Sequence, residues 1–280
     1  MKKLLYVFVS ALTIGGIQAQ ETVAAASESR YRFGLRVTPQ PTWFASGDKN
    51  NVPAGAILGF GFGLNLEYRL TANAALLTGI GGDFEGGKYA VKYEPGVYEV
   101  RYWLDEAGDF VKPAAVQPAG VVGYHLKERK VNTTFASVPL ILKLSTGEYN
   151  GLKYFGMFGG EVGFRLKASA TDTYYSYTTY SGANPAGITT VGEHSETDIN
   201  INEEAGTIPL RLGMNVGAGT EYRLGGTTSL LFSVNFFRNF TNFMEKDSEF
   251  TIYKAEAGGY KFVRQDLKLT GIRFNIGIMF

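Results

Sequence analysis

The sequence predicts an all-β chain: an eight-stranded antiparallel up-and-down transmembrane β-barrel with short periplasmic turns and long extracellular loops. Three observations predict it: an export signal at the N-terminus, eight segments in which apolar and polar residues alternate with period two, and connections that are short and long by turns. Composition agrees. The 280 residues include 36 Gly, 17 Tyr and 20 Phe but no Cys, and only 19% are charged, a mix that favours strands over packed helices. A formal net charge of +1 supplies no field to gather nucleic acid, so none is expected as a partner. Without cysteine there is no disulfide framework, thiolate nucleophile or zinc-finger ligand set.

The N-terminus reads as a signal peptide, residues 1–19. Lys2 and Lys3 precede an apolar stretch from Leu4 to Ile14, and Gly15 to Ala19 ends in a small residue suited to cleavage. This stretch is too short for a spanning helix, which needs about 18 or more apolar residues. The mature chain, residues 20–280, is expected to be one barrel domain whose strands cross the membrane.

The first strand alternates Tyr31, Phe33, Leu35 and Val37 with Arg32, Gly34, Arg36 and Thr38. The second sets Leu58, Phe60, Phe62, Leu64, Leu66 and Tyr68 against Gly59, Gly61, Gly63, Asn65, Glu67 and Arg69. In the third, Leu76, Ile80 and Phe84 oppose Gly79, Gly81, Asp83 and Glu85, with Leu77 out of phase. Val138, Leu140, Leu142 and Leu144 oppose Ser137, Pro139, Ile141 and Lys143 in the fourth. Phe158, Val162, Phe164 and Leu166 face away from Gly159, Glu161, Gly163, Arg165 and Lys167 in the fifth. The sixth runs from Ile208 to Arg223 and the seventh from Ser229 to Asn239, where Leu231 and Phe237 are exceptions; the eighth, Gly271 to Phe280, closes the sequence.

Thr71–Asn73, Ser145–Leu152 and Gly225–Thr227 are short connections. Pro39–Gly55, Gly86–Lys130, Ser169–Gly206 and Thr241–Asp266 are long, and are expected to be external loops. Leu66-Glu67-Tyr68-Arg69-Leu70 is echoed by Thr220-Glu221-Tyr222-Arg223-Leu224, which sets Tyr68 and Tyr222 at one membrane boundary. A soluble barrel would turn the crowded Leu, Ile, Phe and Tyr face inward, and eight strands leave an interior only wide enough for side chains. The apolar face is therefore assigned to lipid. The lumen is assigned to Gly and to Arg32, Arg36, Arg69, Arg165, Arg211, Arg223 and Arg273, paired with Glu67, Asp83, Glu85, Glu161 and Glu221.

Two resemblances follow from these strands. The ending Phe274 to Phe280, alternating and terminally aromatic, resembles the C-terminal signature read by the barrel-assembly machinery, which implies that machinery as a partner in biogenesis. The mature chain is similar to the PorT-like outer-membrane β-barrel family, small barrels of the OmpA/OmpX type. The similarity rests on Gly34–Val37, Gly59–Leu66, Val138–Lys143 and Phe158–Gly163. It implies an outer-membrane location in a Gram-negative bacterium. The family includes a secretion-associated member, so a subunit of a secretion or surface-assembly machine is one alternative role.

Motifs for chemistry are weak. Gly82, Gly87 and Lys88 approximate a phosphate-binding loop, but Tyr89 stands where Ser or Thr is needed and no helix follows. His125 and His194 both fall in expected loops; a hydrolase could pair His194 with Glu193, Ser195 or Glu196, but solvated loop histidines are the simpler expectation. Asp198, Asn200, Asn202, Glu203 and Glu204 lack calcium-loop spacing. No catalytic residue, metal or cofactor is expected. The candidate partner-binding residues are Tyr174, Tyr175, Tyr177 and Tyr180 with Tyr102 and Trp103, flat amphipathic rings suited to a protein or glycan at the external loops. The expected role is structural or interactive, with a side-chain-plugged lumen and outer-membrane lipid around it; a narrow channel is a further alternative.

Overall fold

The computed structural model describes residues 30–47, 51–91, 100–107, 109–112, 119–177, 190–201, 206–256 and 259–280. The expected signal peptide lies outside them. Among the described residues no helix is long and apolar enough to cross a membrane, and the chain crosses with strands.

Among the described residues fourteen strands share one sheet: β1 (Tyr31–Ser46), β2 (Asn51–Gly55), β3 (Ile57–Arg69), β4 (Ala74–Val91), β5 (Arg101–Leu104), β6 (Phe110–Val111), β7 (Val122–Ser145), β8 (Leu152–Tyr177), β9 (Thr190–Asn200), β10 (Leu210–Gly225), β11 (Thr228–Asn239), β12 (Asp247–Glu256), β13 (Gly259–Arg264) and β14 (Leu267–Met279). Eight of them, β1, β3, β4, β7, β8, β10, β11 and β14, pair in that order and close back on β1, antiparallel throughout. The barrel is therefore closed and leaves no edge in the membrane. Its short turns share one end with Arg30 and Phe280. One of them, Asn150-Gly151, holds both residues at positive φ in a two-residue loop, the geometry that matches the twist of a hairpin.

The long connections depart from expectation. Their described residues are largely strand: β1 runs to Ser46, β4 to Val91, β7 starts at Val122, β8 reaches Tyr177, and β2, β5, β6, β9, β12 and β13 add to the same sheet. A membrane strand needs only about 9–11 residues, so the excess of β7 and β8 rises beyond the membrane as a crown. The outward face of β7 marks the level. It reads Glu128, Lys130, Asn132 and Thr134, then Ala136, Val138, Leu140, Leu142 and Leu144. Water meets the first group and lipid the second.

The inward face changes in the opposite sense. In the membrane it carries Arg, Glu, Asp and Asn; in the crown it carries Phe44, Tyr89, Val131, Phe135, Ala168, Ala170, Leu267 and Leu269, all buried. One wall thus follows the membrane rule below and the soluble-barrel rule above. On β8 the change of storey coincides with a bulge. Register with β7 shifts between Thr134 and Phe135, which leaves Leu166 without an opposite residue and reverses the parity beyond it. Glu161 and Gly163 point inward below, Ala168 and Asp172 above. Lys167, expected in the lumen, is consequently exposed on the outer wall.

Tyr31 and Tyr68 pack at 5.0 Å between ring centroids, and Tyr154 and Tyr222 stand exposed near the same end, an aromatic girdle at the periplasmic boundary. The lipid band carries a direct prediction. Leu140→Arg, at an exposed position well inside the apolar run, is expected to lower stability by about 2–4 kcal/mol, whereas Thr134→Arg at its upper limit changes it by about 0–1 kcal/mol. Urea unfolding in lipid vesicles, followed by the fluorescence of Trp43 and Trp103, measures both.

Candidate functional site: the filled lumen and the crown

Three groups of side chains fill the barrel from the periplasmic end outward. In the first, Lys143 on β7 donates to Glu67 at 2.7 Å and to Glu221 at 2.6 Å, while Arg32 pairs with Glu67 at 3.3 Å and Glu221 at 2.6 Å. The two echoed Glu-Tyr-Arg segments therefore meet across the lumen at a shared lysine and arginine. Lys143 belongs to the polar face read from the sequence, but its pairing role has no sequence signal, because its partners come from β3 and β10. Leu77, Ile141, Phe155, Met157, Leu231 and Met279 pack as an apolar layer at this end. That layer accounts for the residues out of phase, Leu77 and Leu231, and for Ile141 and Met279 on the polar face.

In the second group, three guanidinium groups and three carboxylates occupy the middle of the lumen. Arg211 is bound to Asp83 at 3.1 Å and also to Glu85 and Glu161. Arg273 reaches Glu161 at 2.6 Å and Glu85 at 3.5 Å, and its Nε donates to Gln40 at 2.8 Å. Arg36 lies across two glycines: a Cβ on Gly63 would stand 3.1 Å from its Nε, and one on Gly81 3.0 Å from its Nη2. Gly163 makes the same room for Arg211. Glycine alternation is thus a floor for guanidinium groups, and the charges balance within the cluster. Arg165 and Arg223 do not join it. Arg165, just below the bulge, donates to Thr207 Oγ1 at 2.8 Å, and Arg223, close to a turn, pairs with Glu148 at 2.7 Å near water.

The third group is the interior of the crown. Arg129 and Asp172 form a two-bonded pair at 2.7 and 2.6 Å with almost no exposure. Arg129 lies 5.3 Å from the Tyr102 ring centre and 5.6 Å from that of Phe110. Tyr102 stacks on Tyr124 at 5.5 Å, and Tyr124 meets Tyr174 edge-on at 4.6 Å. Two sequence candidates, Tyr102 and Tyr174, are therefore brought together through Tyr124, a residue that sequence reasoning did not select. Tyr102 and Trp103 were expected to be displayed; both are buried, because β5 adds to the upper end of β7, where Tyr102 joins the apolar cluster of the crown and Trp103, on the opposite face of β5, packs against Gly123. Tyr175 and Tyr177 lie in the last residues of β8, and Tyr180 lies outside the described residues. His125, expected on a solvated loop, is a buried residue of β7, and His194 lies in β9. Residues 202–205 of the acidic stretch are outside the described residues, and among those described no group of three His, Asp or Glu side chains could hold a metal ion.

Burial pushes the Tyr102 hydroxyl well above its ordinary value of 10.0, with Asp172 adding and Arg129 opposing; burial raises Tyr89 as well. A phenol with a raised folded value stabilises the crown fully below its unfolded value, and that contribution is lost as pH climbs through the folded value. Spectrophotometric titration is expected to show late-ionising tyrosines whose deprotonation accompanies opening of the crown. Tyr102→Phe should remove one of them.

A closed, edge-free barrel with an apolar band outside and charges inside defines an integral outer-membrane protein. The chain belongs to the outer membrane protein beta-barrel domain family, whose model matches residues 18–245. No curated protein matches it. Among solved structures, it is similar to Neisserial surface protein A, with 10% identity, 89% of this chain and 96% of that one covered, and a TM-score of 0.34. It is similar also to Ail, the attachment invasion locus protein of Yersinia pestis, with 11% identity, 90% and 100% covered, and a TM-score of 0.30. A third is OprG from Pseudomonas aeruginosa, with 12% identity, 88% and 95% covered, and a TM-score of 0.33.

Proposed function

We propose that the protein is a non-enzymatic display scaffold: a plugged barrel that holds a rigid crown above the outer membrane for a protein or glycan partner. The observation that carries this is the pair of charge-balanced clusters in the lumen, every ionic member of which is bound to an oppositely charged side chain or lies among them, with an apolar cluster packed in the crown above. Among the described residues the ionic groups of this interior are engaged with one another, which supports a filled lumen over a reactive or conducting one. The end of β8, with Tyr174, Tyr175 and Tyr177, and Tyr180 beyond it, is the contact segment of this proposal. Residues 1–19 direct export and are removed.

Planar-bilayer recordings on the full chain test the plug. No steady conductance is expected, and a sustained open current would overturn it. The PorT-like similarity supports a second role, as a subunit of a secretion or surface-assembly machine. A stable complex retained through gentle solubilisation supports that role; a lone barrel supports the scaffold.

A further inference from the structure

The outer wall of β4, β7 and β8 has an arrangement that neither the plug nor the crown explains. At the lipid boundary a groove of about 300 Å³ is lined by Leu58, Phe60 and Phe84 on its membrane side and by Asn132, Thr134 and Lys167 on its water side. Register places these residues in rows across the three strands. Phe84, Thr134 and Lys167 share the lowest row, Gly86, Asn132 and Ser169 the next, and Lys88, Lys130 and Thr171 the highest.

Lys88 and Lys130 are directly opposite each other and on the same face. Like charges so placed destabilise a sheet. Neither forms an ion pair with a described residue, and neither does Lys167; Glu128, a carboxylate on this face, is joined to none of them. The wall therefore carries an uncompensated pair of cations at the top and a single cation at the foot, on the order of 14 Å apart along the strands. Between them lie an amide and hydroxyls, the hydrogen-bonding groups that suit a sugar. Below them is an apolar trough open to the hydrocarbon layer.

We propose that this wall is a binding site for a phosphorylated glycolipid of the outer leaflet. Lys88 with Lys130, and separately Lys167, hold two anionic groups; Asn132, Thr134 and Ser169 face the sugar that joins them; and an acyl chain lies against Leu58, Phe60 and Phe84. The charge of the site excludes a neutral lipid. The apolar trough, continuous with the lipid band, distinguishes the occupant from a free anion or a soluble acidic glycan.

Native mass spectrometry of the delipidated full chain, titrated in detergent, tests this with bis-phosphorylated lipid A, the same lipid without phosphates, and inorganic phosphate. Bis-phosphorylated lipid A is expected to bind. Lys88→Gln/Lys130→Gln/Lys167→Gln should weaken it on the order of 100-fold, as three lost cations at a membrane surface imply. Lys-to-Arg changes at the same positions should retain binding, and Lys268→Gln, a cation on β14 across the barrel, should leave it unchanged. Unaltered heat-modifiable migration of each variant establishes that it is folded. Equal binding of the dephosphorylated lipid, undiminished binding by the triple Gln variant, or displacement by millimolar inorganic phosphate or a soluble acidic glycan would each overturn the proposal.

Discussion

Arg211→Met is expected to destabilise the barrel by about 3–5 kcal/mol, the usual consequence of removing one partner from a buried ionic cluster. The arginine is bound to Asp83, Glu85 and Glu161, and its loss leaves three carboxylates facing Arg36 and Arg273 alone. Asp83→Leu in the same chain restores the charge balance and should recover much of the loss, which a lost packing contact alone would not do. Urea midpoints of the two variants in vesicles provide the comparison. If Arg211→Met unfolds at the wild-type midpoint, the lumen does not depend on these pairs.

The second large effect is expected in the crown. Asp172→Leu strands the Arg129 guanidinium among Tyr89, Tyr102 and Phe110, and is again expected to cost about 3–5 kcal/mol. Its consequence should be local, because β10 and β11 end before the crown and the membrane storey has its own charge clusters. Added protease should therefore cut the upper parts of β7 and β8 while the membrane barrel keeps its heat-modifiable migration. Arg129→Met combined with Asp172→Leu replaces the pair by apolar side chains and should restore resistance. Complete unfolding of the Asp172→Leu chain would show that the two storeys are one cooperative unit.

The membrane storey was readable from sequence because one face meets lipid over the whole length of each strand, so period two persists from Leu58 to Tyr68 or from Val138 to Leu144. Its exceptions were readable too, though not their reason: Leu77 and Leu231 point inward to fill the periplasmic end. The crown was not readable. Its strands obey the opposite rule, apolar inside and polar outside, and the reversal on β8 at Leu166 and a further shift between Leu126 and Glu128 on β7 interrupt the alternation. A pattern that changes both its meaning and its phase within one strand looks like loop. Tyr102 and Trp103 are buried rather than displayed because the short β5 pairs with the upper end of β7, a contact that nothing in the local sequence announces. The arginines and carboxylates of the lumen were legible only as a set, and Lys143 not as a partner at all, since it meets Glu67 and Glu221 by closure of the ring and by nothing local in the chain.

The unopposed residue at Leu166 also constrains how such a surface structure can change over time. Side chains alternate along every strand of the crown, so gaining or losing one residue there would turn all those beyond it inside out, exposing Ala170 and hiding Ser169 and Thr171. Length should therefore drift in steps of two, unless a compensating kink of the Leu166 kind arises within the same strand. Odd-length insertions are confined to the connections at the tips, where they leave the facing of the wall untouched.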